Sequence, residues 1–256
     1  MRKVISRQYT VDRGKLKFFF FVFLLFTVYY LLSTTVHAQS VDLLWQGETY
    51  TPPFYKGRAL WSSHSNVTFL AIPHDLGNPE NLNYKWSRNG DGVSLPFVSG
   101  LGKNTFTFSD GLISRTKTVM VNIIPSDQDP SKKDTVLASA SVTLTPRPPI
   151  LAVYENNPLY GLMFHKEIGE IHELQEREAT LTAFPLFFSA LNRVDSMIGY
   201  EWRTNAGGQP DTANSVTYRA PDGTDGLSAI SVRASNKEED KFMQSASKNF
   251  LIQFGK

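Results

Sequence analysis

The feature that most constrains the fold is a long internal duplication. Val67-Thr68-Phe69-Leu70-Ala71-Ile72-Pro73 returns 112 positions later as Ala179-Thr180-Leu181-Thr182-Ala183-Phe184-Pro185. Asn83-Tyr84-Lys85-Trp86-Ser87-Arg88-Asn89-Gly90 returns 116 positions later as Gly199-Tyr200-Glu201-Trp202-Arg203-Thr204-Asn205-Ala206. A Pro-x-Tyr precedes each pair (Pro53 and Tyr55; Pro158 and Tyr160), and a Ser-Ala-Ser follows it (Ser139 to Ser141; Ser245 to Ser247). A period of this length is too long for a solenoid repeat and fits one small β domain, so the chain reads as a tandem duplication.

Within each copy the apolar period is two. Leu82, Tyr84 and Trp86 fall on one face, as do Val119, Val121 and Ile123, and then Val136, Ala138, Ala140, Val142 and Leu144. The second copy repeats this with Ile198, Tyr200 and Trp202, with Val216, Tyr218 and Ala220, with Ile230, Val232 and Ala234, and with Phe250, Ile252 and Phe254. Alternation over such short runs specifies half-buried strands. Turn residues separate them: Asn89-Gly90-Asp91-Gly92, Ser109-Asp110-Gly111, Ala206-Gly207-Gly208 and Asp222-Gly223-Thr224-Asp225-Gly226. The expected fold is all-β, two tandem antiparallel sandwiches over residues 41–145 and 150–256, with Tyr84, Trp86, Tyr200 and Trp202 as structural core. Pro146-Arg147-Pro148-Pro149 lies between them, and three prolines in four residues predict a short stiff spacer with few contacts across it. Gly161 to Glu178 reads as a strand, a loop and a second strand entering Ala179, although Ile171, Leu174 and the glutamates also fit a short helix.

The front of the chain predicts export. Six cations and one acid precede Phe18 to Leu32, an apolar or aromatic row interrupted by Thr27 alone. Val36-His37-Ala38 offers small residues where a leader peptidase reads, so residues 1–38 are expected to be a signal peptide. The alternative is an N-terminal hydrophobic helix retained as a membrane anchor through residues 18–36, with the cations held inside. A prepilin leader at Gly14 fits poorly, because Lys15 and Lys17 follow it. Residues 39–256 then hold twenty Lys and Arg against twenty-three Asp and Glu, which gives no basic surface for nucleic acid. No cysteine is present, so neither a lipobox nor a disulfide framework is expected.

Tyr84-Lys85-Trp86 and Tyr200-Glu201-Trp202, each followed by a polar turn, resemble the central strand of bacterial immunoglobulin-like and polycystic-kidney-disease-type (PKD) repeats, whose tryptophan fills the space between the sheets. Val216-Thr217-Tyr218-Arg219-Ala220-Pro221-Asp222-Gly223, leading to Ile230 to Ala234, is similar to later strands of such modules. PKD repeats place an aspartate and a glycine soon after the tryptophan, whereas Ser87-Arg88 and Arg203-Thr204 intervene here, so general immunoglobulin-like sandwich is the better fit. The resemblance implies a cell-envelope or surface spacer, adhesion or assembly module with a protein or surface-polymer partner and no chemistry of its own. The other implied role is a membrane-anchored accessory or minor component of a pilus or secretion machine.

Candidate chemistry is sparse. His165 and His172, with glutamates at 167, 170 and 173, form the densest ligand-like cluster, but their spacing matches neither a zinc-protease helix nor a zinc knuckle, and a solvated edge explains them better. Asp222, Asp225 and Asp127-Gln128-Asp129 offer oxygen ligands for calcium in segments whose glycines and prolines already require turns. No Gly-x-Ser-x-Gly occurs, and His64 and His74 lie in unpatterned loops, so no catalytic residue, metal or cofactor is expected. Asn66-Val67-Thr68 satisfies a glycosylation sequon at the start of a strand. Trp45, Tyr50, Phe54, Tyr55 and Trp61 crowd seventeen residues, as a contact surface or as the first strand and its core lid.

Overall fold

The computed structural model describes residues 20–24, 39–89, 95–110, 115–129, 135–207, 209–241 and 243–255. The chain divides into two compact units, residues 1–38 and 39–256. In the first, residues 20–24 are helical, and the rest of the expected export segment lies outside the described residues. Among the described residues no helix is long and apolar enough to cross a membrane. The turns expected at Gly90 to Gly92, Gly111 and Gly208 also lie outside them.

The described residues of 39–256 are all-β apart from two short 3-10 turns, Pro79–Asn81 and Glu239–Lys241. The first half contributes β1 (Ser40–Gly47), β2 (Asn66–His74), β3 (Asn83–Arg88), β4 (Gly100–Leu101), β5 (Thr105–Ser109), β6 (Lys117–Ile124) and β7 (Ala138–Leu144). They form two antiparallel sheets, ordered β1-β2-β5 and β4-β3-β6-β7. The second half contributes β8 (Ile150–Asn157), β9 (Gly161–Glu167), β10 (Ile171–Glu173), β11 (Glu178–Leu186), β12 (Ile198–Thr204), β13 (Ser215–Arg219), β14 (Gly226–Asn236) and β15 (Ser245–Phe254). These build sheets ordered β13-β11-β8-β9 and β10-β15-β14-β12. Leaving aside β4, β9 and β10, each half pairs its first, second and fourth strands on one sheet and its third, fifth and sixth on the other, the division found in an immunoglobulin-like sandwich.

The alternation in sequence becomes the interior of each sandwich. Val67, Phe69 and Ala71 of β2 meet Tyr84 and Trp86 of β3 and Val119, Val121 and Ile123 of β6 in one buried cluster. Leu181 and Ala183 of β11 meet Tyr200 and Trp202 of β12 and Ile230 and Val232 of β14 in another. Val136, expected to lead the last strand of the first half, stands outside β7 and is exposed.

The duplication extends to individual bonds. Trp86 lies opposite Val121 and Trp202 opposite Val232. The Tyr84 hydroxyl donates to the Pro79 carbonyl at 3.2 Å, and that of Tyr200 to the Arg193 carbonyl at 2.6 Å. Thr68 and Thr107 share a hydroxyl hydrogen bond at 2.8 Å, and Thr180 and Thr217 one at 2.9 Å, at matching cross-strand positions. Two residues after the repeated proline, Asp75 (φ 56°) and Phe187 (φ 64°) both adopt the left-handed conformation. This backbone bend at the end of the second strand costs energy for any residue with a Cβ.

Gly161 to Glu178 contains no helix: β9 and the start of β11 are the two strands expected there, and β10 is a third strand within the expected loop. β9 pairs with β8, and the short β10 crosses to the opposite sheet, where it runs parallel to β15.

Candidate functional site

The two halves meet at a built joint, contrary to the expectation of a spacer with few contacts across it. The segment Thr51 to Leu60, between β1 and β2, carries Phe54 and Tyr55 onto the outer face of β8 and β11. The Phe54 ring stands 5.0 Å from Tyr154 and 5.4 Å from Phe184, both edge to face, and 4.6 Å from Phe164. Tyr55 meets Phe187 edge to face at 5.5 Å. Such geometry aligns the positive edge of one ring with the negative face of the next and adds to the burial itself. The crowded aromatics of the first half thus separate by role. Trp61 is buried in the core of its own sandwich, Phe54 and Tyr55 belong to the joint, and Trp45 is half-buried with the Arg58 guanidinium 4.5 Å above its ring.

Backbone bonds tie the same joint. The Tyr50 amide donates to the Phe188 carbonyl and the Phe187 amide to the Tyr50 carbonyl, both at 2.8 Å. From the proline-rich connection, the Arg147 amide donates to the Trp61 carbonyl at 2.9 Å. Gln244, fully buried before β15, is a polar hub. Its Nε2 donates to the Ser63 carbonyl at 2.7 Å and lies 2.9 Å from the Ser189 hydroxyl. Its Oε1 accepts from the Ser189 amide at 2.9 Å and from Asn236 Nδ2 at 3.1 Å. A primary amide with both ends satisfied inside protein fixes the relative position of all the groups it touches.

Beside the joint runs an open groove of about 1790 Å³, larger than the roughly 300–1,000 Å³ of a small-molecule pocket. Leu44 and Leu70, cross-strand partners on the outer face of β1 and β2, lie on one side, and Leu191 and Met197 of the β11–β12 loop lie on the other. All four are exposed, at 48%, 36%, 90% and 41% respectively. Asp195 shapes that loop: its carboxylate accepts the Met197 amide at 3.0 Å and the Leu191 amide at 2.8 Å, and these two bonds lower its pKa. Glu48, Glu238 and Glu239 also line the groove; Glu48 binds Asn66 and Thr68, and Glu238 pairs with Lys241.

The ligand-like residues do not converge. His165 is exposed on β9 and His172 is buried on β10, in the opposite sheet. His172 Nε2 lies 3.3 Å from Glu155 Oε2 of β8, a polar tie between the sheets. Burial pushes the His172 pKa down, Glu155 opposes that, and Lys166 adds to it. The solvated-edge reading thus describes His165 and fails for His172, because the crossing of β10 between sheets carries its side chain inward. Asp222 pairs with Arg177 in the β13–β14 turn region, while Asp127 follows β6 in the other half. Among the described residues no three His, Asp or Glu are grouped to hold a metal ion. Asn66 of the sequon is exposed, with its amide donating to Glu48 at 2.9 Å.

Sequence reasoning missed Gln244 and Glu155. Gln244 is a single polar residue before a strand, with no periodic pattern to mark it, and its partners stand up to 182 positions away.

No protein family matches the chain, and no curated protein does. Among solved structures, the chain is similar to the three N-terminal domains of the bacteriophage RB49 highly immunogenic outer capsid protein, at 15% identity and TM-score 0.42 over 84% of this chain and 59% of that one. Fibronectin(III)-like modules of Clostridium thermocellum CbhA align at 14% identity and TM-score 0.27 over 83% and 93% of the two chains. The tandem V-type regions of the chitin-binding protein VCBP3 align at 9% identity and TM-score 0.22 over 83% and 99%. The immunoglobulin-like reading of this chain rests on its own strand order and cores.

Proposed function

We propose that this protein is an exported, non-catalytic module of the cell envelope or surface, in which two immunoglobulin-like sandwiches act as one stiff spacer, adhesion or assembly element. The joint carries this reading. An aromatic cluster, a pair of reciprocal backbone bonds and the Gln244 hub hold one sandwich against the next, as a spacer requires and an interdomain hinge does not. The leader supports delivery outside the cytoplasm, and the acid excess of residues 39–256 disfavours a nucleic-acid partner. A protein or surface polymer is the partner class that an exposed, partly apolar groove suits.

The apolar row Phe18 to Leu32 also favours a second form of this role, an anchored accessory or minor component of a pilus or secretion machine. Protease shaving of intact cells, followed by N-terminal sequencing of the protein from the envelope fraction, tests both. Fragments released from outside are expected. An N-terminus at Gln39 favours the cleaved form, retention of residues 18–36 favours the anchored one, and protection from external protease together with recovery from the cytoplasm defeats both.

A further inference from the structure

The duplication repeats one contact element of the joint on an exposed tip. In the first half, Pro53-Phe54-Tyr55 stands between the first and second principal strands and packs its rings on the next sandwich. Pro158-Leu159-Tyr160 occupies the corresponding connection of the second half, after β8. Leu159 is 85% exposed and Tyr160 77%. They are nevertheless held in place: Asn157 Oδ1 accepts the Leu159 amide at 2.9 Å and the Tyr160 amide at 3.2 Å, and Gly161 (φ 71°) turns the chain into β9. A fixed turn presenting a leucine and a tyrosine loses little conformational freedom on binding, and a tyrosine anchor is typical of interface hot spots. Two and four residues along β9, Leu162 and Phe164 already pack in the intramolecular joint, so the apolar surface of the tip continues an existing interface.

We propose that a second copy of this chain covers the tip, with Leu159 and Tyr160 of one molecule seated in the groove of the next between Leu44 and Leu70 on one side and Leu191 and Met197 on the other. The groove supplies exposed aliphatic surface of matching character on the outer face of β1 and β2, the strands that correspond to those contacted by Phe54 in the second half. Glu48 and Glu239 at its rim offer acceptors for the Tyr160 hydroxyl. Neither Leu159 nor Tyr160 lines the groove of its own molecule. With the tip of each molecule seated in the groove of a different neighbour, the contact is heterologous and propagates head to tail into a ring or an open filament. The inference adds a partner to the proposed assembly role and rests on the joint, not on where the protein resides, so the localisation experiment and the one below fail independently.

Sedimentation velocity of the purified protein over rising concentration tests it. The average mass is expected to climb past that of a dimer without a plateau there. Leu159→Ser with Tyr160→Ser removes the tip, and Leu44→Ser with Leu70→Ser removes the groove side; each variant alone is expected to stay monomeric. Mixed together, they retain one tip and one groove between them and are expected to stop at a one-to-one dimer. Leu44→Lys serves as a second groove variant if the serine pair fails to fold, with circular dichroism as the check. A wild-type protein that stays monomeric, association that both variants retain, or a mixture that forms no dimer overturns the proposal.

Discussion

Trp86 and Trp202 hold the same position in two sandwiches, and each ties its indole to a backbone carbonyl across the core. Nε1 of Trp86 donates to Lys103 at 2.8 Å, and Nε1 of Trp202 donates to Ala213 at 2.9 Å. Trp86 is 0% and Trp202 4% exposed. Replacing either by alanine removes a large buried ring and leaves a carbonyl without its donor. The expected loss is about 3–5 kcal/mol in denaturant unfolding for either variant. A loss under about 1 kcal/mol at one site and a full loss at the other would show that the two positions are not energetically equivalent.

The joint predicts coupled unfolding. With the aromatic cluster and the Gln244 hub intact, calorimetry is expected to record one transition for residues 39–256. Gln244→Ala strands the Ser189 amide and leaves Asn236 Nδ2 with only its 3.5 Å bond to the Ser189 carbonyl, at a cost of about 1–3 kcal/mol. Combined with Phe54→Ala, it is expected to separate the melting into two transitions as the sandwiches lose their shared contacts. Two transitions in the wild-type protein would contradict the joint as a coupling element.

The strands were readable because their alternation is local, and Tyr84, Trp86, Tyr200 and Trp202 stand out because the chain repeats them in order. The joint was not readable in this way. Phe54 and Tyr55 are aromatic in a loop, and nothing local distinguishes a ring that covers its own core from one that covers the neighbouring sandwich. Gln244 is harder still, because its burial depends on where Ser62, Ser63 and Ser189 are brought by two different connections. The prolines of the connection predict an extended segment, but stiffness says nothing about whether the flanking surfaces touch. His172 shows the same limit, since a crossing between sheets over three residues leaves no periodic trace.

Asp75 and Phe187 share a left-handed backbone but not an environment, and substitution with glycine is expected to act in opposite directions. Asp75 is exposed, so Asp75→Gly relieves the conformation at little contact cost and is expected to be neutral or stabilising within about 1 kcal/mol. Phe187 is 2% exposed and packs on Tyr55, so Phe187→Gly gains the same relief but loses a buried ring. A net cost of about 2–4 kcal/mol is expected. Thermal melts of the two variants side by side give the comparison, and equal effects would mean that the ring contributes nothing to the joint.

His172 predicts acid sensitivity. Its side chain is buried between the sheets, facing Glu155 of β8, and burial lowers its pKa in the folded protein against the partial opposition of Glu155, with Lys166 of β9 acting in the same direction as burial. The unfolded chain takes up the proton near the ordinary histidine value of about 6.5, while the folded chain resists it. Above that value both states carry a neutral ring and His172 contributes no pH dependence. As the pH falls below it, the unfolded state binds more protons and stability is lost, until the folded state also titrates. Denaturant midpoints measured from about pH 8 down to pH 5 are therefore expected to decline in the wild-type protein and to decline less in His172→Gln, whereas His165→Gln, altered at an exposed position, is expected to follow the wild type. A His172→Gln profile that tracks the wild type throughout would remove this histidine as the source of the acid sensitivity.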